Sequence, residues 1–218
     1  MMVYPRLMLT ALALGLLGTS AHGSVGFFGT FIEVDADGTT DLYDATPFGF
    51  DATNFQGASL GTFAPAGSLT FSAVQAMTFK NGGDNVTSVS INYRVTPDGG
   101  TPGSFASSDV PFRSNATFEA INGTTFTGSG DQAWGYPNAI SPTSPNFVSG
   151  LADGDYDLEI FFKGTTFGSD FFDSNGGSNY TASFTVTSVP EPAVALLAGL
   201  GGLVLMGSRS KRADVASD

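Results

Sequence analysis

The chain has 218 residues, of which 20 are Asp or Glu and eight are Lys or Arg, and its formal charge of −12 repels phosphate backbones and argues against nucleic-acid binding. There is no cysteine and a single histidine, His22, so disulfide staples, Ser-His-Asp and Cys-His nucleophiles and typical zinc sites are excluded from the folded part. Twenty Phe, 29 Gly and 11 Pro describe a turn-rich globular chain with aromatics enough to offset chain entropy, unlike a disordered stalk.

At the start of the chain, Arg6 precedes the apolar stretch Leu7 to Leu17, and small residues follow at Thr19, Ala21 and Gly23. This n-region, h-region and cleavage pattern predicts a secretory signal peptide over 1–23, with cleavage after Ala21 or after Gly23. No polar face interrupts the stretch, as one would in a helix buried on one side of a soluble domain.

Residues 24–188 are long enough for one domain with its own core. They hold four basic residues, Lys80, Arg94, Arg113 and Lys163, against 17 acids, a charge near −13. Candidate strands come first at Val25 to Val34 and Ser68 to Phe79. Val89, Ile91, Tyr93 and Val95 then alternate with Ser88, Ser90, Asn92 and Arg94, which places one set on a core face and the other in water. Thr117 to Ile121 and Thr124 to Thr127 flank Asn122-Gly123, a two-residue signal for a tight hairpin. Tyr136 to Pro145 reads as a surface loop. Two further period-two runs follow: Tyr156, Leu158, Ile160 and Phe162 against Asp157 and Glu159, and Tyr180, Ala182, Phe184 and Val186 against Thr181, Ser183 and Thr185. Asp-Gly and Gly-Gly pairs punctuate the intervals, and no helical period appears between them. The fold class expected is therefore all-β, a single antiparallel β-sandwich. Leu151-Ala-Asp-Gly-Asp-Tyr-Asp-Leu also resembles a Leu-x-x-Gly-x-Tyr-x-Leu motif of Ig-like sandwich domains, which bears on fold and not on function.

The chain closes on Pro190-Glu191-Pro192, an uncharged apolar run from Ala193 to Gly207, and the basic residues Arg209, Lys211 and Arg212. At about 1.5 Å per residue, a run of some 15 residues spans roughly 22 Å, short of the ~30 Å hydrocarbon core. It reads as a short, transient transmembrane helix whose basic flank stays cytoplasmic, leaving the domain outside. These residues resemble the PEP-CTERM sorting signal of Gram-negative bacteria. That resemblance implies a sorting segment over 189–212, a cytoplasmic tail over 213–218, and an exosortase-type membrane transpeptidase as partner. It further implies a location at the cell surface or outside the cell after processing, and an association with exopolysaccharide and biofilm.

Three kinds of site chemistry remain. Asp153, Asp155, Asp157 and Glu159 are a carboxylate cluster of the kind glycoside hydrolysis uses, but their spacing reads as turn residues and the wet face of a strand, so no catalytic residue is assigned and no enzyme is expected. Asp35, Asp37 and Asp41 flank Gly38 at positions one, three and seven, which suggests a calcium loop in outline, but an Asp-Gly turn between strands is the favoured reading; position twelve is Thr46, where an EF-hand has a bidentate acid. Asp170, Asp173 and Asn175 form a weaker group of the same kind. Trp134 and Tyr136, before a Pro-rich loop, are a candidate stacking platform for a sugar ring. The sequence thus points to an exported structural or adhesive protein, with a carbohydrate-binding module as the alternative and no obligatory cofactor.

Overall fold

A computed structural model describes residues 25–46, 52–80 and 85–188. The expected signal peptide, Pro190, Glu191, Pro192, the apolar run, and Arg209, Lys211 and Arg212 lie outside the described residues. The rest is nearly all strand, in two sheets.

The first sheet has the order β3-β2-β1-β5-β9-β8, built from β1 (Val25–Ala36), β2 (Thr39–Thr46), β3 (Thr53–Asn54), β5 (Leu69–Lys80), β8 (Phe112–Glu119) and β9 (Thr125–Gly135). The second has the order β4-β12-β10-β6-β7, from β4 (Ser59–Phe63), β6 (Val86–Pro97), β7 (Ala106–Val110), β10 (Gly154–Thr166) and β12 (Tyr180–Val186), with β11 (Asp170–Asp173) also paired to β10. The all-β expectation holds, but not its purely antiparallel form: β3 pairs with β2 and β4 with β12 in parallel. Both are short edge strands, and β4 follows β3 by a segment that passes from the first sheet to the second.

The three alternating runs form β6, β10 and β12, which pair in the register Leu158 opposite Val95 and Ala182. Their inward sets meet Ile32, Val34, Val74 and Ala76 of the first sheet in one core that includes Phe55, Phe162 and Phe184. At the entry to β10 the Tyr156 hydroxyl donates to the Ala152 carbonyl at 2.9 Å while its ring stacks on Phe184. This ties the turn around Asp153-Gly154 to the core strand.

The first sheet is apolar on both faces, and this is why β1 shows no clean alternation. Phe31 and Met77 point away from the main core into a second cluster with Phe118, Ala120 and Ala133. Register shifts in the β8–β9 hairpin let it bend over this face, and at its tip Ile121 N donates to Gln75 Oε1 at 2.8 Å. The turn differs from the two-residue type expected at Asn122-Gly123. Ala120 N bonds to Thr124 O and Gly123 N to Ala120 O, and Gly123 has φ 82° while Asn122 is not in the left-handed region. The loop is three residues, Ile121 to Gly123, with glycine where a positive φ is required.

Candidate functional site

The face of the second sheet that points away from the core carries the most varied chemistry on the protein. Along β10 every even-numbered residue from Tyr156 to Thr166 is buried, so Asp157, Glu159, Phe161, Lys163 and Thr165 project outward. The register sets Arg94 opposite Glu159, Asn92 opposite Phe161 and Ser90 opposite Lys163, and on the other side Phe172 opposite Lys163 and Asp170 opposite Thr165. Cross-strand partners share a face, so three phenylalanines meet there. Phe161 lies 4.9 Å from Phe105 and 6.2 Å from Phe172, centroid to centroid. Phe172 is 57% exposed. Phe105 and Phe161 are half-buried.

Polar groups border these rings. The Arg94 guanidinium sits 4.2 Å above the Phe105 ring, pairs through Nε with Glu159, and donates through Nη1 to Gly103 O at 3.1 Å. Lys163 Nζ is 2.8 Å from Asp170 Oδ2, and Thr165 donates to the other carboxylate oxygen at 2.9 Å. Lys163 and then Thr165 hold the Asp170 carboxyl below its ordinary range. Both ion pairs among the described residues therefore lie on this face, each beside an aromatic ring, and the strip is locally neutral on a strongly acidic domain. Exposed rings flanked by hydroxyl, amide and charged donors are how proteins grip sugar rings, with apolar contact to the C–H face and hydrogen bonds at the edge.

Toward the start of β10 the same face turns acidic. Asp98, Asp155 and Asp157 line a shallow cavity of about 320 Å³ with Ser183 and Thr185, and Thr185 donates to Asp155 Oδ1 at 2.6 Å. Burial first, then the charges of Asp98 and Glu159, push the Asp157 carboxyl up. Ser188 donates to Asp153 at 2.8 Å, leaving that residue to the turn.

The residues singled out from sequence fare differently. Trp134 is 3% exposed, and its Nε1 donates to Thr78 Oγ1 at 3.1 Å inside the core. It pairs with Ala76, whose face of β5 looks into the sandwich, so the platform expected from Trp134 and Tyr136 is not formed: the indole has no face free for a sugar. Tyr136 lies half-buried under Arg113, 5.9 Å from ring centroid to guanidinium carbon. The calcium reading of Asp35, Asp37 and Asp41 is likewise corrected. Asp35 pairs with Thr40 and Asp41 with Val34, which puts the two carboxylates on opposite faces of the β1–β2 hairpin. Asp35 Oδ1 accepts from Gly38 N at 2.8 Å and Asp37 Oδ1 from Ser68 N at 2.7 Å. They act as turn caps, and among the described residues no cluster of acids has metal-binding geometry.

Asp170 and Asp173 also separate, one outward and one inward. Asp173 Oδ2 accepts from Thr30 at 2.5 Å and from Thr46 at 2.7 Å, and Oδ1 accepts from the Tyr180 hydroxyl. Two residues of the first sheet are thus latched to two of the second. Burial first, and then the bond to Asp173, push the Tyr180 phenol up to about 12.

The aromatic strip is not among the sites expected from sequence, because a phenylalanine by itself does not show whether it packs in a core or faces water. One sign was present: Phe161 occupies an odd, outward position in the run Asp157, Glu159, Phe161, Lys163, where period two demands a polar residue.

No protein-family model matches the chain, and no curated protein does. Among solved structures, a family 123 glycoside hydrolase from Clostridium perfringens, studied for glycolipid glycan hydrolysis, is similar over 61% of this chain and 23% of its own, at 10% identity and a TM-score of 0.29. A likeness that slight carries no argument about fold or function, and the chain spans under a quarter of that protein.

Proposed function

We propose that this chain is an exported cell-surface or matrix protein that adheres to neutral polysaccharide through the outer face of its second sheet. The observation that carries the reading is the strip Phe105-Phe161-Phe172, in which Phe161 and Phe172 sit on the paired strands β10 and β11, Phe105 lies just before β7 and Phe172 is exposed, bordered by two internally neutralised ion pairs. An acidic domain repels polyuronates, whereas a locally neutral, aromatic strip has no quarrel with an uncharged glycan. Export rests on the N-terminal pattern and on the tail from Pro190 to Arg212, which resembles an exosortase substrate. The exosortase, the transient membrane helix and the biofilm setting belong to this proposal on that ground alone.

The test is retention of the full chain on cellulose and dextran against polygalacturonate. Preference for the neutral glucans, lost in a Phe161→Ala/Phe172→Ala double variant, is the expected result. Equal retention of that variant overturns it. A second reading, a carboxylate-dependent hydrolase, draws on the raised Asp157 carboxyl in a cavity beside Asp98 and Asp155. It requires release of reducing ends from the same glucans, abolished by Asp157→Asn. No release removes it.

A further inference from the structure

Phe167 is 100% exposed. It stands at the apex of the turn joining β10 to β11, and that turn is closed by its own bonds: Thr166 N donates to Ser169 O at 2.8 Å, and Ser169 N donates back to Thr166 Oγ1 at 3.1 Å. Gly168 N adds a longer bond to the same hydroxyl at 3.4 Å. None of these bonds uses the Phe167 side chain, so the turn needs no ring at this position. A phenyl group is held in water on a preorganised support, which lowers the entropy lost when it inserts into a partner.

An open cavity of about 290 Å³ lies elsewhere on the surface, between β6, β7 and the loop before Phe147; Tyr93, Val95, Ala106, Pro145 and Phe147 give it apolar walls, and Arg94, Ser104 and Asn146 complete its lining. An apolar cavity of about 150 Å³ is enough for a benzene ring. The ring cannot fill the hole on its own chain. Thr166 pairs with Val86 at one end of β6, and Tyr93 to Val95 lie seven to nine residues further along, roughly 25 Å away at strand rise.

We propose that Phe167 of one copy inserts into the Tyr93-Phe147 cavity of a second copy, joining chains head to side. Knob and hole sit at different places on the surface, so the contact is heterologous: each copy keeps one free knob and one free hole, and assembly runs open-ended instead of closing as a dimer. Such a polymer suits a matrix protein; Arg94 borders both the cavity and the glycan strip, but the two positions tested, Phe167 and Ala106, are not part of the strip. Copies with a formal charge of −12 repel one another, so association driven by an apolar knob strengthens as salt screens that repulsion.

The experiment is sedimentation velocity on the full chain in detergent micelles, which cover the apolar run 193–207, from micromolar to millimolar concentration at 50 and 500 mM salt. The wild-type chain is expected to show a weight-average mass that rises with concentration, more so at high salt. Phe167→Asp removes the knob and Ala106→Arg covers the hole; both positions are exposed, and circular dichroism checks that both variants fold. Each variant alone is expected to remain monomeric. An equimolar mixture still holds one good knob and one good hole per pair, and is expected to give a species of twice the monomer mass that grows no further. A wild-type mass independent of concentration, association of the Phe167→Asp chain equal to wild type, or a mixture that stays monomeric each overturns the proposal. Loss of glucan retention with association intact bears on the strip alone.

Discussion

Truncating Phe172 separates the glycan strip from the core. Its side chain is 57% exposed, so of a ring residue with ~200 Å² to cover, roughly 115 Å² is free and roughly 85 Å² is already packed. Losing the packed part costs about 2 kcal/mol at 25 cal/mol/Å², which lowers the melting temperature without unfolding the domain. A sugar ring stacked on one side covers about half of the free area, on the order of 60 Å², and at the same coefficient Phe172→Ala loses ~1.4 kcal/mol, about tenfold in Kd. Isothermal titration with a soluble β-1,4-glucan oligosaccharide reads this directly. Trp134→Phe is the control, since it removes the bond to Thr78 inside the core and leaves the strip untouched. It should lower stability and leave Kd unchanged. Should Phe172→Ala bind within twofold of wild type, or should Trp134→Phe lose affinity to the same extent, the strip is not the contact surface.

Three further outcomes follow from the packing. Gly135 has φ 80°, and a Cβ there would lie 2.0 Å from the Val74 carbonyl oxygen; Gly135→Ala should cost roughly 3 kcal/mol or more by chemical denaturation, and a cost below 1 kcal/mol contradicts the geometry. Because Tyr180 is pushed up to about 12, the fold favours its neutral phenol. That contribution is fully present below pH 10 and lost as pH rises through about 12. Burial also raises the Tyr43 phenol, so the reading is a difference: absorbance at 295 nm should lose a late-titrating step in Tyr180→Phe, and a high-pH titration curve unchanged by that substitution refutes the latch. Burial raises the Asp44 carboxyl, and its Oδ1 has no hydrogen-bond partner among the described residues. A raised acid stabilises most when protonated and loses that contribution as pH climbs through its folded value, so Asp44→Asn should gain about 1 kcal/mol at pH 7. The gain should vanish near pH 3; a loss of stability at pH 7 would mean that the carboxylate is satisfied.

Strands with one wet face were legible from sequence, since a period of two in β6, β10 and β12 is a direct image of one-sided burial. β1 was legible as a strand but not in its faces. Phe31 is covered by the β8–β9 hairpin, a long-range contact that leaves no local mark. Turns were legible as positions but not as types, because Asn122-Gly123 suits both a two-residue loop and the three-residue loop that forms; the bend of the hairpin onto Gln75 chose between them. The short parallel edges, β3 and β4, carry too few residues for any pattern.

The candidate sites divide along the same line. Charge, the missing cysteine and the lone histidine depend on composition alone, and so does what they exclude: thiolate and histidine chemistry and a basic nucleic-acid surface. Which aromatic meets water depends on what lies above it. Trp134 and Phe161 both sit on strands, yet the second sheet covers Trp134, while among the described residues no sheet packs on the face that Phe161 shares with Phe172. Asp35 and Asp41 look like neighbours in the chain, but alternation of faces across a hairpin sends them apart. Composition and period act residue by residue and are fixed before folding. Coverage is a property of pairs of sheets, and only their packing decided which rings became core and which became surface.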